Sequence, residues 1–222
     1  MPLLLKGALI EYASDFLGPL PNVLLFQYNP DQLVRTLEIP SRPTGAGARE
    51  TNQVGDVPTE KITFTAKFDA SDRLADDSPV ARAFGVGPEL AALELMVRPS
   101  GEGSLLGMAI DAIGDAIAGR RGSDASQPIP RERYPRLLFV WGPTRVLPVF
   151  IHQMKITEVL YDRLLNPIQA EVAMGLTVIA PEHCSADHVA HGAYTYSQSA
   201  KEALATVNLA NTVANAAEMI TF

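Results

Sequence analysis

A mainly β domain of α+β type, with flanking helices and a C-terminal helix, is expected from three stretches of the 222-residue chain. In Ile168–Ile179, the side chains of Ile168, Ala170, Val172, Met174, Leu176 and Val178 fall on one face, and Gln169, Glu171 and Thr177 on the other. In Glu60–Asp69, Ile62, Phe64, Ala66 and Phe68 alternate with Lys61, Thr63, Thr65 and Lys67. Period-two alternation of this kind places one face of a strand on a core and the other toward water. Between them, PRLLFVWGPTRVLPVFIHQMKITEVLY over 135–161 reads as a strand pair turning at Trp141-Gly142-Pro143. Strands this long belong to a sheet whose edges other strands must complete, from this chain or from another copy.

Composition narrows the function classes. With 47% apolar residues the chain can build a real core, as one large or two small domains. A net charge of −7 and a pI near 5.1 disfavour nucleic-acid binding, because a phosphate backbone needs a basic counter-surface. The single cysteine, Cys184, excludes an intrachain disulfide framework. MPLLLKGALIEY alternates after its first apolar run and lacks a cleavage-like ending, so no signal peptide is expected. No apolar run approaches the roughly 18–20 residues that cross a bilayer, so synthesis in the cytoplasm without membrane insertion is expected.

Leu3–Tyr12 reads as a first strand. Val23–Tyr28 reads as a second, stopped by Asn29-Pro30, where proline fixes φ and restricts the residue before it. Val34–Ile39 resumes extended character, and the Pro- and Gly-rich run 40–58 is expected as a loop. After Glu60–Asp69, the polar run Asp72–Asp77 reads as a turn, and Pro88 opens a short helix over ELAALELMVR with Glu89 at its positive end. Residues 99–131 read as an insertion carrying an amphipathic helix, capped by Ser104, over 104–118. A change of phase between Met154/Ile156 and Val159/Tyr161 predicts a bulge. Beyond Pro181, small residues at Ala203, Val207, Ala210, Ala214 and Ala217 predict a helix that needs a groove on this domain, a neighbouring subunit or another protein. The expected division is a β domain over 1–180 and a connector with docking helix over 181–222.

Few residues point to chemistry. His183, Cys184, His188 and His191 are ligand types that zinc accepts, and in a helix Cys184, His188 and His191 would share a face. No CxxC or HExxH spacing accompanies them, and a solvated connector is the simpler account of the run, so a small metal- or ligand-binding β-barrel is the alternative reading. Asp111 and Asp115 lie one helical turn apart, as the polar face of an amphipathic helix requires. Ser104 in GEGSLLG lies in neither a nucleophile elbow nor a phosphate loop, and a helix cap accounts for it. Tyr134, Trp141, Tyr161, Tyr28 and Phe26 at strand spacing read as core or interface, and Lys61 and Lys67 as edge protection. No catalytic residue and no cofactor is assigned.

Four blocks in order carry a resemblance. Phe26-Gln27-Tyr28-Asn29-Pro30 with Leu33, Arg35 and Thr36 is followed by EKITFTAKFD, holding Phe64, Phe68 and Asp69. Then come PRLLFVWG with Trp141 and Gly142, the strand ending at Tyr161, and NPIQAEVAMGLTV opening on Asn166 and Pro167. Together they resemble the tube proteins of contractile injection systems, a group often carrying an attached LysM domain. Asn166 stands where glycine is commoner, and no LysM-like segment is read after residue 180. The resemblance implies a tail-tube-like β-barrel or sandwich assembling as a sixfold homomeric ring of a phage tail-like particle. Its implied partners are inner-tube subunits and the spike, hub and baseplate proteins, with no enzymatic activity.

Overall fold

A computed structural model describes residues 5–12, 22–41, 57–98, 135–180, 182 and 187–220. Seven strands form one antiparallel sheet: β1 (Ala8–Tyr12), β2 (Val23–Leu25), β3 (Leu33–Glu38), β4 (Thr59–Asp69), β5 (Arg136–Val140), β6 (Val146–Tyr161) and β7 (Pro167–Val178). Their order in space is β2-β1-β5-β6-β7-β4-β3. The sheet is mainly β architecture as expected, and it is open: β2 and β3 lie at its two ends and do not pair with each other.

β6 organises the sheet. Its start pairs with β5 from Val140↔Val146 to Leu137↔Val149, and the rest pairs with β7 from Val149↔Val178 to Tyr161↔Pro167. One strand is therefore shared by two half-sheets, and register shifts at Ile151/Gln153 and Glu158/Leu160 bend it. The second shift falls where the phase change predicts one. The first was not legible, because His152 slips out of the alternation without breaking the apolar pattern around it.

The bending folds the two halves face to face. Phe26, which follows β2, meets Phe64 of β4 edge-on with centroids 5.3 Å apart, although β2 and β4 are five strands apart in the sheet. Phe139 stacks between Phe64 and Trp141 at 5.6 and 5.9 Å. Ile62, Ala66, Phe68, Val172, Met174 and Leu176 extend this core on the faces that the alternation assigns to it.

Three short helices close the core: α1 (Ser71–Ala75), α2 (Pro79–Phe84) and α3 (Gly87–Leu95). The run expected as a turn at Asp72–Asp77 is thus mostly helix α1, since the Asp69 carboxylate accepts from Ser71 N at 2.7 Å and starts the turn of helix. α2 has Ser78 as its N-cap and Pro79 at its first position, and α3 begins one residue before the predicted Pro88. Leu90 and Leu93 of α3, with Val86 and Met96 at its ends, enter the core. The helical segment is stitched to the start of β7 by Ala70 N donating to Ile168 O at 2.9 Å and Val86 N to Pro167 O at 2.8 Å. Gly85 has φ +59°, and a Cβ there would lie 2.0 Å from Pro167 O, so only glycine permits this approach.

The last helix, α4 (His188–Ile220), is 33 residues long. Its first turns pack Val189, Ala190 and Ala193 on Ile10, Tyr12 and Leu138, which form the face of β1 and β5 opposite the main core. Among the described residues, no helix is long and apolar enough to cross a membrane.

Candidate assembly interface

The blocks that carry the resemblance fall at structural joints. Phe26 is fully buried, whereas the two residues after it turn outward. Gln27 locks the β2 end to β4: its amide nitrogen donates to Asp69 O at 2.7 Å and its amide oxygen accepts from Asp69 N at 2.8 Å. Asn29 does the same for the start of β1, accepting from Gly7 N at 2.9 Å and donating to Leu5 O at 2.8 Å. Here side-chain amides replace strand pairing where the backbone has turned away. Asp69 also accepts from Gln169 at 2.6 Å. Hydrogen bonds from Ser71, opposed by partial burial and helped by Gln169, hold the Asp69 carboxyl below its ordinary value.

The other signature positions are equally local. Phe64 and Phe68 are core, and Trp141 packs on Phe139. Gly142 takes φ +69° in the β5–β6 turn, which Trp141 N closes onto Arg145 O at 2.8 Å. Asn166 stands in a turn held by Asp162, whose carboxylate accepts from Asn166 N and Nδ2, both at 2.8 Å. These bonds, side chain first, keep Asp162 acidic. Leu165 rather than Asn166 adopts the left-handed backbone, at φ 64°, so the glycine found in the family's turn is not needed at 166. Pro167 supplies the carbonyl that α2 and α3 approach.

Tyr28 and Pro30 line a groove of about 430 Å³ with Asp31, Lys67, Val159 and Glu171, on the water-facing side of β4 and β7. Its charges are already engaged in part, Lys67 lying 3.5 Å from Asp31. Thr63, Thr65, Lys67, Glu171, Ala173, Lys155 and Thr157 continue this broad polar face over three adjacent strands.

Two sheet edges remain. Among the described residues β2 and β3 are each paired on one side only. β3 presents Leu33–Glu38 with Val34, Leu37 and the following Ile39 exposed, Ile39 at 76%. Lys61 and Glu38, 2.6 Å apart, place charge on its outer face, Arg35 and Thr36 add polar groups, and exposed Val34 and Leu37 flank the open backbone edge.

α4 is fastened to the sheet by four polar contacts in succession. Asp187 precedes it and accepts from Ala190 N at 3.0 Å, a helix cap, while Tyr12 OH donates to the same carboxylate at 3.0 Å and Arg136 lies 3.3 Å away. Tyr196 OH donates to Pro143 O at 2.6 Å. Buried Ser197 accepts from Val146 N at 2.9 Å and donates to Val146 O at 2.7 Å, in the manner of a strand partner for β6. The last contact is Lys201 to Glu60, 3.1 Å apart.

Glu60 is the residue that sequence reasoning passed over. It shares the even-numbered, core-facing phase of Ile62, Phe64 and Phe68, and it is 6% exposed. Arg35 of β3 lies 2.6 Å from its Oε1 and Lys201 of α4 3.1 Å from its Oε2, so one buried carboxylate joins edge strand and helix. Burial raises its pKa, but the hydrogen bonds and charges of Arg35 and Lys201 together outweigh that and leave it below the ordinary value. An acid at a core-facing strand position was the available signal, since such a group is buried only when paired.

His183 and Cys184 lie outside the described residues; His188 and His191, in the first turn of α4, are both exposed. Among the described residues no group of three His, Cys, Asp or Glu could hold a metal ion. The 99–131 insertion with Ser104, Asp111 and Asp115, and most of the 40–58 loop, also lie outside the described residues. The chain matches no protein-family model and no curated protein.

Proposed function

We propose that this chain is a non-enzymatic structural subunit of a contractile injection system, closing with copies of itself into a six-fold ring that joins the spike-bearing hub of the baseplate to the inner tube. The observation that carries this reading is the β3 edge, a six-residue strand paired on one side only among the described residues, with Val34, Leu37 and the following Ile39 exposed. A neighbouring strand would satisfy its free N–H and C=O groups and cover those side chains, and a closed ring leaves no such edge over. The polar outer face of β4, β7 and β6 suits an aqueous lumen, as in barrels whose inward positions face water. The resemblance of the four sequence blocks supports the choice of family, and the joints they build are corners of the sheet. Inner-tube subunits and baseplate proteins are then the partners above and below the ring.

Electron microscopy of the purified chain, alone and co-expressed with the other particle proteins, tests the proposal. Annular particles with six-fold symmetry are expected. Monodisperse monomers under both conditions refute it.

A further inference from the structure

Past Lys201, α4 leaves the body of the molecule. Its contacts run across the sheet in strand order: Asp187 at β1 and β5, Ser197 at the start of β6, and Lys201 at Glu60 of β4, itself bound to Arg35 of β3. The next strand position in that direction is empty among the described residues, because β3 is the end of the sheet. Every described side chain from Glu202 to Val213 is exposed, including Leu204, Val207, Leu209 and Val213 at about 60% each. The helix continues to Ile220, a projection of about 28 Å at ~1.5 Å per residue. From Ala203 to Ala217 it carries no Asp, Glu, Lys or Arg. A helix without charge and with large apolar groups in water is too weak to stand by itself, so its surface is built for contact.

We infer that this projecting half of α4 is a strap that crosses the subunit boundary and seats on the second copy lying along β3. The inference rests on the ring reading and names which part of the chain holds the ring together. Three observations select that occupant. Leu37 of β3 and Lys201 line one groove of about 410 Å³, and Leu204 follows on the next turn, so the strand edge and the root of the strap form adjoining surfaces that one partner covers together. The strap covers only about 400 Å² as half a cylinder roughly 10 Å wide, half of the roughly 800 Å² per partner of a stable interface. Strand pairing along β3 supplies the remainder, which places both contacts on the same neighbour. Finally, copies bearing a net charge of −7 repel one another, and an arm without charged residues from Ala203 to Ala217 is a surface that brings them together with few like charges facing. The contact is head to tail: each copy gives its strap to one neighbour and receives another's, as ring closure requires.

The test uses the full chain with Leu204→Glu, Val207→Glu and Val213→Glu together, beside a photo-crosslinking residue placed at Val207 in the otherwise unchanged chain. All three substituted side chains are exposed, so the variant should melt with the parent. Expected results are annuli for the parent, at least a tenfold loss of annuli for the variant, and crosslinks from position 207 to the body of a second copy in mixed isotope-labelled samples. Annuli as abundant in the variant as in the parent overturn the strap and leave the ring reading intact. Crosslinks joining strap to strap, to the same chain or to another particle protein also overturn the strap alone. A parent that never forms annuli refutes the ring reading itself, and the strap with it.

Discussion

Replacing Glu60 by Gln removes the charge that joins β3, β4 and α4 while keeping the side-chain shape. Glu60 is 6% exposed, and its partners Arg35 and Lys201 have side chains 30% and 35% exposed. Breaking a fully buried pair costs about 3–5 kcal/mol, whereas an exposed one is worth about 0–1. With the carboxylate buried and the cations partly screened, the expected loss is about 1–3 kcal/mol, a factor of roughly 5–150 in the unfolding equilibrium. For a chain of this size that lowers Tm by roughly 2–10 °C. Urea unfolding followed by circular dichroism measures the loss, and hydrogen exchange should show α4 opening first around Lys201. The pH dependence has a definite sign. The folded-state pKa of Glu60 lies below its ordinary 4.5, so its stabilising contribution is complete above that value and is lost as pH falls through the folded value. Glu60→Gln should therefore flatten the acid limb of the stability profile. A variant within 0.5 kcal/mol of the parent, with the acid limb unchanged, would refute the view that this carboxylate holds the helix.

Gly85→Ala should cost about 2–3 kcal/mol, because a Cβ meets Pro167 O at a positive φ and neither backbone can yield without losing the Val86–Pro167 hydrogen bond; equilibrium unfolding checks it. Phe26→Ala should cost about 3–5 kcal/mol, since Phe26 touches both Phe64 and Trp141 and, with the Phe64–Phe139 stack, holds one half-sheet on the other. Asp187→Ala removes the cap of α4 and the partner of Tyr12 and Arg136, for an expected loss of about 1–2 kcal/mol; Asp187→Asn should recover the cap but not the ion pair, which a double-mutant cycle with Arg136→Met resolves. Thr65→Val, on the water-facing side of β4, should stay within about 0.5 kcal/mol and serves as the control.

The alternating strands were legible because a half-buried strand writes its burial in period two. β4 buries Ile62, Phe64, Ala66 and Phe68 as predicted and adds Glu60, and β7 keeps its predicted face from Ala170 to Val178 but also buries Gly175 and Thr177. Part of that departure has a visible cause: His152, displaced by the β6 bulge, lies over Gly175 and binds Thr177 at 2.9 Å. Short helices were less legible. α1 and α2 are too short for an apolar stripe, and they exist because Asp69, Ser78 and the carbonyl of Pro167 supply their ends with partners. Of the candidate interface, the helix was readable from the helical spacing of its small residues. Its docking was not, because Ser197 and Lys201 find Val146 and Glu60 across 51 and 141 residues of chain.

Local pattern alone decides which residues become extended, which face the alternating strands bury, and where Asn29-Pro30 and Trp141-Gly142 turn the chain, since each of these depends on neighbours within a few positions. Tertiary structure decides that β6 is shared by two half-sheets, that among the described residues the sheet stays open at β2 and β3, and that α4 is held as far as Lys201 with its described side chains exposed beyond it. Those outcomes come from a competition between distant groups for the same buried space. A period in the sequence records that a face is covered, and only the fold reveals what covers it.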